Sequence, residues 1–84
     1  MATPGAKDAL DAVGSTGMEY VRRHMAGDWG EVPPEDARSN DFAATHPDRM
    51  LMILSAYTLP DSTTIWIITD GDRHHTTLLL PDEY

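Results

Sequence analysis

The chain has 84 residues, 14 acidic side chains against six basic ones, a net charge of −8 and no cysteine. A chain of this length forms one small domain, and without cysteine it has neither disulfide bonds nor thiolate chemistry. The acidic excess repels nucleic acids and anionic membranes and favours association with a basic partner. The sequence shows no secretory signal pattern, and its longest apolar run is too short to cross a bilayer, so we expect a cytoplasmic protein.

Three short helices are predicted in the first half of the chain, because apolar residues recur there at helical spacing. Gly27 is suited to end the second helix, and Pro33-Pro34-Glu35-Asp36 is a typical start for the third. Residues 1–4 lack an apolar anchor, so we expect this end of the chain to fray. The predicted helices cover about residues 5–13, 17–26 and 34–45.

Three runs of strand-forming residues dominate the second half of the chain. Pro60-Asp61-Ser62 and Asp70-Gly71-Asp72-Arg73 separate these runs, which predicts two consecutive hairpins. Helices followed by a β-meander give an α+β fold, with two or three short N-terminal helices packed on one face of a three-stranded antiparallel sheet. The predicted strands cover about residues 50–58, 63–70 and 75–80.

Trp29 and Asn40 have predicted structural roles. Trp29 lies in a glycine-flanked turn, and a flexible turn gains little from so large a ring unless the ring packs inward. Asn40 falls where the third helix would place a core residue, and a buried amide must find hydrogen-bond partners. We therefore expect Trp29 to pack inward and Asn40 to pair with backbone.

The sequence contains no recognisable catalytic motif. Its serines lack a nucleophile-elbow context, and there is no glycine-rich phosphate loop. Asp70 and Asp72 could hold a divalent cation, but an Asp-Gly pair between two strands is also ordinary hairpin chemistry. Adjacent His74 and His75 would point to opposite faces of a strand and so would not share a metal. We expect no enzyme activity, no cofactor and no metal, and a turn in which Arg73 pairs with the aspartates.

Spaced blocks over about residues 16–84 carry a family resemblance. The blocks are Arg23-His-Met-Ala-Gly-Asp-Trp-Gly30, Leu54-Ser-Ala-Tyr57, Ile65-Trp-Ile-Ile-Thr-Asp70, Asp72-Arg73 and Thr77-Leu-Leu-Leu-Pro-Asp-Glu-Tyr84. Together they resemble a family of small plasmid-related proteins encoded on plasmids and integrative elements of bacteria. The resemblance implies a mobile-element origin and a bacterial host cytoplasm, but no established activity. Gly71 and His74-His75 depart from the family's pattern in this loop.

Mobile elements commonly carry small acidic inhibitors of host defence, including anti-CRISPR and antirestriction proteins, and this chain is similar to those in size and charge. The expected function is therefore a non-enzymatic anti-CRISPR-type inhibitor, a DNA mimic that binds a basic nucleic-acid-binding surface of a CRISPR effector. The alternative is a structural or regulatory module of a mobile element that binds a protein through an apolar sheet face. The partner-binding residues expected for the inhibitor are Asp28, Glu31, Glu35, Asp36, Asp41, Asp70 and Asp72. Those expected for the alternative are Tyr57, Trp66, Ile68 and Leu79.

Overall fold

The computed structural model describes residues 1–84 as three α-helices followed by a three-stranded antiparallel sheet, which confirms the predicted α+β fold. The strand order β1-β2-β3 follows the chain. Two 3₁₀ turns, Pro47–Arg49 and Pro81–Glu83, flank the sheet in sequence. The regular elements are α1 (Pro4–Ala12), α2 (Met18–Met25), α3 (Pro34–Thr45), β1 (Ile53–Thr58), β2 (Thr64–Thr69) and β3 (Thr76–Leu79).

The hydrophobic core lies between α1, α2 and the inner face of the sheet. The strand register places Tyr57 opposite Ile65 and Ser55 opposite Ile67, and all four side chains are buried. Side chains alternate between the two faces of a strand, so these residues form one continuous inner face. Tyr20 of α2 packs on Tyr57 with a distance of 5.5 Å between ring centroids. The core cluster consists of Ala6, Leu10, Tyr20, Tyr57, Leu59, Ile65, Ile67 and Leu78.

The outer edge of β1 is closed by backbone and by one amide side chain. Ala56 donates its N–H to the carbonyl of Trp29 at 3.1 Å and accepts from the N–H of Glu31 at 2.7 Å. The Asn40 amide donates to the carbonyl of Leu54 at 2.7 Å and accepts from the N–H of Leu54 at 3.2 Å. The predicted pairing of Asn40 with backbone is confirmed, and it places α3 along the edge of β1. A covered edge strand cannot pair with another chain.

The edge of β3 is closed by the first residues of the chain. Leu78 donates its N–H to the carbonyl of Met1 at 2.8 Å, and Thr3 donates to the carbonyl of Leu78 at 2.9 Å. The amino group of Met1 donates to the carbonyl of Thr76 at 2.9 Å. The expectation that residues 1–4 fray is therefore wrong, because backbone hydrogen bonds to β3 replace the apolar anchor that this segment lacks.

The first strand begins at Ile53, three residues later than predicted. A 3₁₀ turn precedes it, and Met50 adopts a left-handed conformation with φ of 56°. The β2–β3 turn packs on this segment so closely that a Cβ atom at Gly71 would collide with the carbonyl oxygen of Met50. Arg73 donates to the carbonyl of Leu51 at 2.7 Å. These contacts hold residues 50–52 outside the strand ladder.

Candidate partner-binding surfaces

Asp28 is fixed in the turn between α2 and α3. One of its carboxylate oxygens accepts from Nε of Arg23 at 2.7 Å, and the other accepts from the N–H of Gly30 at 3.1 Å. The bond from Arg23 and then the bond from Gly30 lower the pKa of Asp28. Asp28 is thus charged and held in place, and part of its charge is already neutralised by Arg23.

Trp29 lies beside two further acidic residues of the predicted set. Its Nε1 donates to Asp41 of α3 at 2.8 Å, and the edge of its ring faces the ring of His24 at a centroid distance of 5.8 Å. The indole is half-buried, so the predicted inward packing is partial. Glu31 accepts from the hydroxyl of Thr58 at 2.6 Å. We call this region, with Asp28, Trp29, Glu31 and Asp41, the Trp29 turn.

Glu35 and Asp36 lie in the first turn of α3 and are exposed. Neither carboxylate forms an ion pair or a side-chain hydrogen bond within the molecule. The positive end of the helix dipole stabilises negative charge at this position. These two carboxylates are therefore free to meet a basic partner.

The remaining acidic residues of the predicted set lie in the β2–β3 turn. Asp72 accepts from the N–H of His74 at 2.9 Å, and this bond is the main cause of its lowered pKa. Asp70 lies 3.7 Å from Nδ1 of His75. The possible ligand atoms of Asp70, Asp72 and His75 all lie within 4.8 Å of one another. All three side chains are exposed, and exposed acidic groups of this kind are common without an ion, so hairpin geometry accounts for them.

Arg73 does not pair with the aspartates of its own turn, contrary to the sequence prediction. Its guanidinium donates to the carbonyl of Leu51 and to the carbonyl of Ala43, each at 2.7 Å, and to two carbonyls of the turn itself. A planar fork with several donors suits such a set of carbonyls. Arg73 thus ties the β2–β3 turn to the end of α3 and leaves the charges of Asp70 and Asp72 without a Lys or Arg partner.

Little of the acidic charge is neutralised within the molecule. Of the 14 carboxylates, two form ion pairs with Lys or Arg, in the pairs Lys7–Asp11 and Arg23–Asp28. The predicted acidic residues form two groups, one at the Trp29 turn with the start of α3 and one in the β2–β3 turn. The first group runs along α3 from Glu35 to Asp41, and Arg73 ties the β2–β3 turn to the carbonyl of Ala43 near the end of the same helix.

The predicted apolar contact set does not form one exposed surface. Tyr57 lies on the inner face and is 1% exposed. Ile68 and Leu79 lie on the outer face but are also buried. Trp66 is half-buried, with the ring of Tyr84 edge-on at a centroid distance of 5.9 Å. Tyr57 pairs with Ile65 on the inner face of the sheet. The other three residues of the set lie on the outer face, so the set does not share one face.

Four exposed apolar residues lie instead beside the start of β1. Met50 is 60% exposed, Leu51 44%, Met52 42% and Tyr84 72%. The hydroxyl of Tyr84 lies 3.9 Å from Sδ of Met52, which joins the two segments. We call these four residues the methionine row. Sequence reasoning placed residues 50–52 in a strand and so missed their exposure; the available signal was the turn at Pro47, which delays the strand.

A buried polar network crosses the core and was also missed. Nδ1 of His24 lies 2.6 Å from the hydroxyl of Ser55, and Nε2 lies 2.8 Å from the hydroxyl of Thr69. Burial lowers the pKa of His24. A histidine beside a serine hydroxyl can act as the base of a nucleophile. However, Ser55 is 0% exposed, so its hydroxyl does not face solvent or substrate and the contact is structural.

Two clefts open on the surface. The larger, of about 440 Å³, lies between α1, α2 and β3 and is lined mainly by apolar residues such as Leu10 and Leu78. The smaller, of about 240 Å³, is lined in part by His24, Trp29 and Arg73. Every buried polar side-chain atom already has a hydrogen-bond partner.

The structure contains no helix with the length and apolar character needed to span a membrane. Comparison of the chain with protein-family models, with curated proteins and with solved structures finds no match. The surfaces described above are therefore the basis for a functional proposal.

Proposed function

We propose that this protein is a non-enzymatic inhibitor that binds a basic, nucleic-acid-binding surface of a host-defence complex of the CRISPR effector type. The observation that supports the proposal is the uncompensated acidic charge, because only two of the 14 side-chain carboxylates pair with Lys or Arg. Carboxylates form strong charge-assisted hydrogen bonds with the same Lys and Arg side chains that bind phosphate. The resemblance to mobile-element proteins favours a target in bacterial defence.

The mode of action is competition for the basic surface. The Trp29 turn with Glu35 and Asp36 is one acidic group. The β2–β3 turn with Asp70 and Asp72 is a second, which Arg73 ties to α3 at the carbonyl of Ala43. Contact at both groups would cover a basic groove and exclude nucleic acid from it. Opposite charge also accelerates encounter with such a surface.

Paired neutralising variants test the proposal. The measurement is competition with fluorescent target DNA for purified CRISPR effector complexes. We expect Glu35→Gln/Asp36→Asn to weaken inhibition about tenfold, since two exposed charge contacts contribute up to about 1 kcal/mol each. The matched control is Asp8→Asn/Glu19→Gln, which removes the same charge from exposed positions outside both acidic groups. This control should stay close to wild type.

Two results would contradict the inhibitory proposal. One is an equal loss of inhibition in both variant pairs, which would mean that overall charge matters and the α3 surface does not. The other is an inhibitory complex whose affinity does not change with salt, since exposed charge contacts are screened over about 10 Å at 0.1 M ionic strength.

A second candidate function is a protein-binding module of a mobile element that uses an apolar surface. The exposure of Met50, Leu51, Met52 and Tyr84 supports it. Its contact would be the methionine row, since Tyr57, Ile68 and Leu79 are buried. Met50→Ser/Met52→Ser would abolish partner binding in this case, whereas Glu35→Gln/Asp36→Asn would leave it intact.

A further inference from the structure

The methionine row is an apolar surface that the fold leaves uncovered. Met50, Met52 and Tyr84 are each more than two-fifths exposed, and the edge contact of Tyr84 with Trp66 joins them to the outer face of the sheet. Scattered apolar side chains are normal on a surface, but a contiguous set marks a contact site. Methionine side chains are flexible and polarizable, and they suit surfaces that adapt to a partner.

The backbone beneath the row is held rigidly. The guanidinium of Arg73 bonds the carbonyl of Leu51 and, on its other side, the carbonyl of Ala43 in α3. Gly71 lies against the carbonyl of Met50 with no room for a side chain. A surface that is ordered before binding loses less conformational entropy when a partner docks.

Carboxylates without a basic partner flank the row. Asp70 and Asp72 lie on either side of Gly71 and hence beside Met50, and Asp48 precedes Met50 by two residues. At the other end, exposed Asp82 precedes Tyr84 by two residues. None of these four carboxylates forms an ion pair with Lys or Arg. At the Met50 end the three carboxylates outnumber the guanidinium groups of Arg49 and Arg73, so the row is apolar along its length and carries net negative charge at its ends.

We propose that the methionine row is a docking surface for an amphipathic basic segment of a partner protein. Apolar side chains at helical spacing in that segment would cover Met50, Met52 and Tyr84, and Lys or Arg beside them would meet Asp70, Asp72 and Asp82. Charge complementarity selects this occupant. A second copy of this chain, also at −8, or an anionic membrane would be repelled. The inference does not depend on the inhibitory function.

The five methionines provide an internal test by NMR of ¹³C-labelled methyl groups. The probe is a synthetic amphipathic peptide of Leu and Lys, about 14 residues long so that a helix can form. We expect its addition to shift the methyl signals of Met50 and Met52. Met18 is also exposed, on α2 and beside the cleft of Leu10 and Leu78 rather than beside the row, and its signal should not move. Shifts of equal size at all exposed methionines would overturn the proposal.

Peptide and protein variants complete the test by isothermal titration. A peptide of the same composition with scrambled, non-amphipathic order should bind at least about tenfold more weakly. Met50→Ser/Met52→Ser should weaken binding by a similar factor, whereas the control Met18→Ser should not. Asp70→Asn/Asp72→Asn should weaken binding and reduce its salt dependence. Equal binding of the scrambled peptide, or wild-type affinity of Met50→Ser/Met52→Ser, would refute the docking surface while leaving the competition result for Glu35 and Asp36 unaffected.

Discussion

The ring of His24 and the hydroxyl of Ser55 form a buried hydrogen bond with 2.6 Å between Nδ1 and Oγ. The other ring nitrogen bonds Thr69 at 2.8 Å, so one residue of α2 joins β1 and β2 through a single side chain. A hydroxyl can donate or accept, so both bonds suit a neutral imidazole. Burial lowers the pKa of His24 and so favours the same neutral form.

We predict that the folded protein loses stability as the pH falls below about 6.5, the ordinary pKa of histidine in an unfolded chain. Burial lowers the pKa of His24 in the folded state, so the unfolded chain binds the proton first. The free energy of unfolding then decreases with falling pH until the folded pKa is passed, by at most about 1.4 kcal/mol per pH unit for one proton. Urea unfolding between about pH 7.5 and 5.5 measures this slope.

Histidine variants identify the group responsible. His24→Gln should lower the free energy of unfolding near neutral pH and flatten its pH dependence in this range. His74→Gln removes an exposed imidazole and should keep the wild-type slope. If His24→Gln retains the full slope, His24 is not the titrating group.

Asn40→Ala should destabilise the fold by about 2 kcal/mol, because it leaves the N–H and the carbonyl of Leu54 without protein partners. Urea unfolding measures the loss, and hydrogen exchange at the Leu54 amide should become faster. Ser39→Ala, an exposed neighbour on α3, should change stability by less than about 0.5 kcal/mol. Slow exchange at Leu54 in Asn40→Ala would show that another group protects this edge.

Arg73→Lys should lower the melting temperature although it keeps the charge. A single ammonium cannot reach the carbonyls of Leu51 and Ala43 together with those of the turn, so the expected cost is about 1–2 kcal/mol. Arg22→Lys is the matched control, since Arg22 is exposed on α2 and makes no side-chain hydrogen bond. Equal melting temperatures for Arg73→Lys and wild type would mean that the positive charge, rather than the several N–H donors of the guanidinium, stabilises the turn.

Local sequence patterns were sufficient to predict three helices and three strands, because each depends on the spacing of neighbouring apolar residues. The edge contacts could not be predicted in this way. Asn40 and Leu54 are 14 positions apart, and Met1 and Thr76 are 75 apart, so no local pattern pairs them. The register of the strands could not be predicted either, and a shift of one residue would move Tyr57 to the other face of the sheet.

The candidate surfaces were predictable in charge but not in geometry. Fourteen acidic residues indicate a negative surface wherever the chain folds. The partner of Arg73 was predicted wrongly because Asp70 and Asp72 are near in sequence, whereas the fold brings the carbonyls of Leu51 and Ala43 to its guanidinium. The same kind of tertiary contact holds residues 50–52 outside the strand, which leaves the methionine row exposed.

Variants of Trp29 test whether its indole stabilises the fold or contacts a partner. Removing a fully buried indole costs about 3–5 kcal/mol, and this ring is half-buried, so Trp29→Ala should cost about 2 kcal/mol. Trp29→Phe keeps an aromatic ring beside His24 but loses the N–H bond to Asp41, for an expected cost of about 1 kcal/mol. Urea unfolding of the two variants separates the packing contribution from the hydrogen bond.

Asp41→Asn checks the hydrogen bond of Trp29 from its other side. An amide oxygen can still accept from Nε1 of Trp29, but the bond loses its charge assistance, so the cost should be smaller than that of Trp29→Phe. In the competition assay with target DNA, Trp29→Ala should lose inhibition only in proportion to its loss of folded protein. A Trp29→Ala variant that unfolds at the wild-type urea concentration but no longer inhibits would instead make Trp29 a partner contact, since the indole would then contribute to binding and not to the fold.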